Sequence, residues 1–194
     1  MRAPYVDFNL PQIQEDSIVQ DNINGGYLAT QYLIDRGHQD IGFIGSVKGT
    51  TSIMERYLGY HAALLTNGLE LKQEWIIEDR DSRNLFIGFR FPEQLPTAFF
   101  CNSDEVAARL LAHFETVGIR VPEDISVISF DRTIYARMSE PELTTVAVNK
   151  ETIAMFAVID LLRKIRKNSA AWQAARKVVP VELTEKHSVL DLRQ

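Results

Sequence analysis

A single cysteine, Cys101, stands among the 194 residues, so the chain holds no internal disulfide framework and suits a reducing compartment. Its neighbours Phe99 and Phe100 place the thiol at the end of an apolar strand rather than at a reactive surface. Long hydrophobic runs are missing: nothing approaches the roughly 20 apolar residues of a membrane span. The amino terminus, MRAPYVDFNLP, lacks the apolar core of a signal peptide. These absences predict a cytoplasmic protein with no membrane partner. A basic surplus is absent as well. Lysines and arginines number 21 against 26 aspartates and glutamates, a net charge of −5 that leaves no cationic face for a phosphate backbone. Any DNA-binding part has to lie elsewhere. The histidines (His38, His61, His113, His187) are widely spaced with no cysteine or carboxylate pattern beside them, so no metal site is expected. No G-x-G-x-x-G, P-loop or G-x-S-x-G pattern occurs, and no nucleophile–base pair emerges. The chain is expected to be no enzyme and to need no cofactor.

What is present is an α/β rhythm. Short apolar runs at Tyr5–Phe8, Ser17–Gln20, Ile41–Ile44, Trp75–Ile77, Thr97–Cys101, Ile125–Phe130 and Val178–Leu183 read as strands. Between them, apolar residues recur at helical spacing over Gly26–Arg36, Ser52–Asn67, Asp104–Val117 and Lys150–Lys167. Ser82 reads as the cap of a further helix over Arg83–Phe91, ended near Pro92, and His187–Leu190 as a last extended segment. Strand–helix alternation with short connections predicts parallel sheets flanked by helices. The most informative stretch is GIRVPEDISVISFDRTIYARMSEPELTTV, residues 118–146. Gly118 suits a helix end and Pro122 prevents a restart. Ile125–Phe130 reads as a strand buried on both faces, and Asp131 follows at once. In open α/β sheets ligands sit just outside the carboxyl ends of strands, where a carboxylate has more reason to meet a ligand than to build a core.

Several segments together carry a family resemblance. They include Asp21-Asn22 with Gly25-Gly26, the run Leu33-Ile34-Asp35-Arg36-Gly37-His38, and Ile41-Gly42-Phe43-Ile44-Gly45. Further on stand Glu55-Arg56-Tyr57-Leu58-Gly59-Tyr60, PTAFFCNSD at 96–104, VPEDISVISFD at 121–131, PELTTV at 141–146 and PVEL at 180–183. In order and spacing the chain resembles the effector-binding core of the lactose-repressor (LacI/GalR) family of bacterial transcription regulators. The resemblance implies two Rossmann-like lobes, as in periplasmic sugar-binding proteins, closing on a small effector. It implies an effector that is a sugar or sugar derivative, with nucleobases as the family's exception. It implies operator DNA as a second partner, reached through a headpiece absent from this chain, and a homodimer. Because the match starts within the first lobe, residues 1–48 are expected to be a partial first lobe and 49–183 the second lobe. Residues 184–194 are expected to return toward the first lobe. A transport-type periplasmic sugar-binding protein is the alternative that shares the fold.

Five residues are expected to touch the effector. Asp131 matches the family's aspartate and can accept two hydrogen bonds from vicinal hydroxyls; its other reading is a loop cap or an ion pair with Arg132 or Arg137. Arg56 matches the family's arginine ahead of Gly59-Tyr60 and offers a fork of donors, against a plain surface pair with Glu55. Ser52 lies one turn earlier on the same helix. Ser103 stands where the family has a polar effector contact, and either it or Asp104 caps the following helix. Glu78, with Asp79, occupies the region of an aromatic ring in many relatives; acidity there favours a ligand rich in donors. Ser129 and Arg109 stand where relatives usually have glycine, the latter on a helix that in the family lies near the dimer interface.

Overall fold

The computed structural model describes residues 4–7, 16–166 and 175–194. Two sheets divide the chain. The smaller has three strands, β1 (Tyr5–Val6), β2 (Ser17–Gln20) and β8 (Arg176–Val179), all parallel with β2 in the middle. The larger has six, in the order β4 (Ile76–Ile77), β3 (Ile41–Ile44), β5 (Ala98–Cys101), β6 (Ser126–Asp131), β7 (Thr144–Val148) and β9 (Val181–Thr184). All its pairs are parallel except β7 with β9. The central strands β3 and β5 are buried at every residue, which is why IGFI and AFFC read as continuous apolar runs rather than alternating ones.

Helices α1 (Asn22–Asp35) and α2 (Thr51–Thr66) cover one face of the large sheet, with Leu33, Phe43, Tyr60, Phe100 and Phe130 in the core between. Their crossing is close because glycines meet there. A Cβ on Gly26 would lie 2.2 Å from Arg56 O, and one on Gly59 would lie 2.1 Å from Ile23 O. On the other face α3 (Asp104–Val117) packs Val106, Leu110 and Phe114 against Phe99 and Val127. Ser103 caps α3, and Gly118 ends it at φ +77°, a left-handed position that a side chain would strain. The short α4 (Ile134–Met138) follows β6, and α5 (Lys150–Arg166) sets Ile153 and Phe156 against Ile18 and Val179 of the small sheet.

Three expectations change. The expected division at residue 48 is not where the sheets divide: β3 lies inside the large sheet and α1 packs on α2. Conversely α5 and β8, expected in the second lobe, belong with the small sheet. The chain crosses between the two bodies at Asp21, at Asn149 and at Pro180, which splits the apolar run Val178–Leu183 into β8 and β9 in different sheets. The last residues stay on the large body, where Ser188 Oγ donates to Val127 O, Val127 N to Ser188 O and Leu192 N to Arg36 O. The helix expected over Arg83–Phe91 is absent. Asp81 Oδ1 accepts from the amides of Arg83 and Leu85, so this Asx turn satisfies the N–H groups that would have opened a helix. Asn84 then takes φ +62°, and Phe89 and Phe91 lie against His113 on α3. Phe8 and Lys167, expected to end a strand and a helix, lie outside the described residues.

Candidate functional site

The carboxyl ends of β3, β4, β5 and β6 converge on a cleft of about 690 Å³ between the two sheets. Asp131, Arg56, Ser103 and Ser52 all line it, together with Asp7 and Gln20 from the small sheet. Glu78 does not. One residue beyond β4, the pleat points Glu78 to solvent and Asp79 inward, where Asp79 is fully buried.

Arg56 is the hub. It is 5% exposed, and each of its nitrogens has a partner: Nε donates to Asn22 Oδ1 (2.9 Å), Nη1 to Asn102 O (2.6 Å) and Nη2 to Asp131 Oδ1 (2.9 Å). The guanidinium carbon lies 3.8 Å from the centre of the Phe130 ring, so the cation also rests on an aromatic face. The close crossing of α1 and α2 over Gly26 and Gly59 is what brings Asn22 within reach. Asn22 Nδ2 in turn donates to Glu55 Oε2 (3.0 Å), and Glu55 Oε1 pairs at 2.6 Å with Arg176 of the small sheet. A continuous polar chain thus runs from β8 to Asp131.

Asp131 sits at φ +105° and Arg132 at +50°, left-handed backbone that costs free energy in non-glycine residues and persists only where surroundings hold it. The holding group is Asp104. Completely buried, it accepts from Ser129 Oγ (2.7 Å) and Thr145 Oγ1 (2.7 Å) on Oδ1, and from the amide and hydroxyl of Thr133 on Oδ2. Burial pushes the Asp104 carboxyl above the ordinary range, opposed by these same bonds. Ser129 therefore has a task that a glycine could not perform. Asp79 closes the other side of the floor, accepting from Ser46 N (2.7 Å), Asn102 Nδ2 (3.2 Å) and Arg80 Nε (3.2 Å). Cys101 lies fully buried beneath, its thiol pushed well up by burial and then by the two aspartates, so it is no nucleophile.

Ser103 caps α3, its Oγ accepting from Val106 N (3.4 Å), and it also lines the cleft. Ser52 Oγ donates to Asp7 O (3.4 Å) across the cleft, and Thr50 caps α2. Asp131 pairs with Arg56, not with Arg132 or Arg137. Asn22, Asn102, Asp104, Gln20 and Arg80 were not among the expected contacts. Asn102 and Asp104 flank Ser103 in sequence, a signal that could have marked them; Gln20 gave none. Among the described residues no group of three or more His, Cys, Asp or Glu could hold a metal ion, and no helix is long and apolar enough to cross a membrane.

Comparison with known proteins agrees with this geometry. The model of the periplasmic binding protein-like domain family matches residues 30–189. The HTH-type transcriptional repressor PurR of Actinobacillus pleuropneumoniae serotype 3 (strain JL03) is 34% identical over 193 residues, 97% of this chain and 57% of that protein. PurR of Pectobacterium carotovorum subsp. carotovorum (strain PC1) is 35% identical over 180 residues, 91% of this chain and 52% of that protein. The chain thus spans about half the length of the curated relatives it matches. Among solved structures, the transcriptional regulator CelR in complex with cellobiose superimposes with a TM-score of 0.80 at 27% identity, covering 95% of this chain and 58% of that one. A LacI family regulator from Enterococcus faecium with bound ribose gives a TM-score of 0.80 at 23% identity over 97% of this chain and 70% of that one, a likeness of fold. The chain belongs to the periplasmic binding protein-like domain family, as the effector-binding core of a LacI/GalR-type regulator.

Proposed function

We propose that the cleft binds a small polyhydroxylated effector, a sugar or sugar derivative, and that in the full-length protein this binding alters the operator affinity of a cytoplasmic, homodimeric transcription repressor. The observation that supports this most is the state of Asp131. Arg56 fixes one carboxylate oxygen, while Oδ2 has no hydrogen-bond partner among the described residues and the side chain is 28% exposed at the cleft. An ionised oxygen held at a strained backbone position, with Ser103 and Ser52 nearby, is built to accept from hydroxyls. A ligand that touches both sheets favours one arrangement of the two bodies, and only a difference in affinity between arrangements can move the DNA-binding state. The crossings at Asp21, Asn149 and Pro180 are where such a motion would turn.

A nucleobase is the second reading, favoured by the similarity to the PurR repressors. Against it, the described residues lining the cleft include no aromatic ring on which a base could stack. A thermal-shift screen of the full-length protein against sugars and purine bases, with Asp131→Asn alongside, separates the two. At a hundredfold excess over Kd a bound effector stabilises by about 2.7 kcal/mol. A sugar that stabilises the parent and loses most of that effect in the variant supports the reading. A response to purines alone makes the nucleobase the effector, and equal stabilisation of both proteins by a sugar removes Asp131 as the anchor.

A further inference from the structure

Glu55 on α2 divides its carboxylate between groups that the chain crossings separate. Oε1 accepts from Arg176 Nη2 (2.6 Å), which opens β8 on the small sheet; Oε2 accepts from Asn22 Nδ2 (3.0 Å), which opens α1 on the large body one residue past the crossing at Asp21. Arg176 is held in turn by the ladder, in register with Ser17 of β2. The contact of Ser52 Oγ with Asp7 O, which also spans the two bodies, is longer at 3.4 Å and neutral, so the charged pair is the stronger tie.

Asn22 makes that tie felt further in. It is 2% exposed, and its amide stands between a carboxylate that only accepts and a guanidinium that only donates. One orientation satisfies both, with Nδ2 toward Glu55 and Oδ1 toward Arg56 Nε, and it leaves Arg56 Nη2 on Asp131. We propose that Glu55 is a positioning residue with two tasks: its ion pair with Arg176 latches the small sheet against the large body, and its hold on Asn22 keeps Arg56 aimed at Asp131. Latching and effector binding then strengthen each other, as linkage requires of an effector that prefers the latched arrangement. The coupling rests on the effector reading of the cleft; the latch itself does not. A pair whose arginine is 39% exposed is weak and screened by salt, which suits a contact that has to open.

The test has two arms, both on the full-length protein. In the first, calorimetry measures the affinity for D-ribose and for cellobiose at about 0.02 M and about 0.5 M salt. A neutral sugar has no charge to be screened, so a salt dependence of its affinity reports the latch. Arg176→Gln should weaken the bound sugar about two- to fivefold at low salt and remove the salt dependence, while Arg176→Lys keeps both. Glu55→Gln, which retains an acceptor for Asn22, should match Arg176→Gln, and Glu55→Ala should fall below both because Asn22 also loses its partner. A parent affinity indifferent to salt, or Arg176→Gln binding like the parent, would overturn the coupling. In the second arm, hydrogen–deuterium exchange of the unligated protein should be faster at residues 17–20 and 52–56 in Arg176→Gln than in the parent at low salt. Equal exchange would overturn the latch. If the parent binds neither sugar, the sugar reading fails, and the exchange arm alone decides whether the latch stands.

Discussion

The floor and the rim of the cleft use the same side chain in opposite ways. On the floor, Asp79 and Asp104 are sealed from solvent with both oxygens of each occupied by amides, hydroxyls or a guanidinium. At the rim Asp131 keeps one oxygen for Arg56 and one for the cleft. Position explains the difference. A carboxylate behind a strand end must find protein donors, and by collecting them it fixes the loops that bring them. Asp104 gathers donors from β6, β7 and the turn after β6, and that turn is what holds Asp131 at a φ it would otherwise leave. The floor preorganises, and under the proposed function the rim binds.

Removing the floor should therefore be the most damaging change. Asp104→Ala strands the hydroxyls of Ser129 and Thr145 and the amide of Thr133, with an expected loss of about 3–5 kcal/mol in urea denaturation. The pH dependence has a definite sign. Burial raises the folded pKa of Asp104 above the ordinary 3.8 of an aspartate, so the folded state takes up this proton first as pH falls. This group's contribution to stability should thus rise as pH drops through its folded pKa and level off near 3.8, a trend that Asp104→Asn abolishes. Arg56→Met, which cuts the link between floor and rim, should cost about 2–3 kcal/mol by leaving Asn22 and Asn102 O without their donor. It should also weaken effector binding, read by calorimetry, well beyond what the stability loss explains.

A smaller effect is expected where the polar chain reaches the other sheet. Arg176 is 39% exposed and Glu55 12%, so a double-mutant cycle with Glu55→Gln and Arg176→Gln should give a coupling of about 1 kcal/mol or less at low salt, shrinking as salt is added. The smallest effect belongs to Ser82→Ala. Since no helix starts there, melting should show a change within about 0.5 kcal/mol; a loss of 1 kcal/mol or more would restore the capped helix.

That last position shows where sequence reasoning stops. Ile125–Phe130 with Asp131 was legible because an apolar run ended by a carboxylate has few other uses in an α/β chain, and Asp104–Val117 was legible from its cap, periodicity and terminal glycine. Ser82 offered an equally good cap, yet Asp81 one residue earlier took the amides, and local chemistry alone could not rank the two. Glu78 failed for a related reason: strand faces alternate, so an error of one residue exchanges the solvent face for the buried one that Asp79 occupies. The run through Pro180 carried no sign that its halves belong to different sheets, because hydrophobicity records burial and not the partner strand. Gln20 was silent, since only its surroundings reveal an acceptor without a donor.

The measurement that bears most directly on the central claim is hydrogen–deuterium exchange of the full-length protein, with and without the sugar that stabilises it most. Binding at the cleft predicts added protection at residues 131–133 and 52–56 on the large body and at 17–20 on the small sheet. Protection confined to the groove of α3 and α4, around residues 117–122 and 134–141, with no change at 131–133, would contradict it.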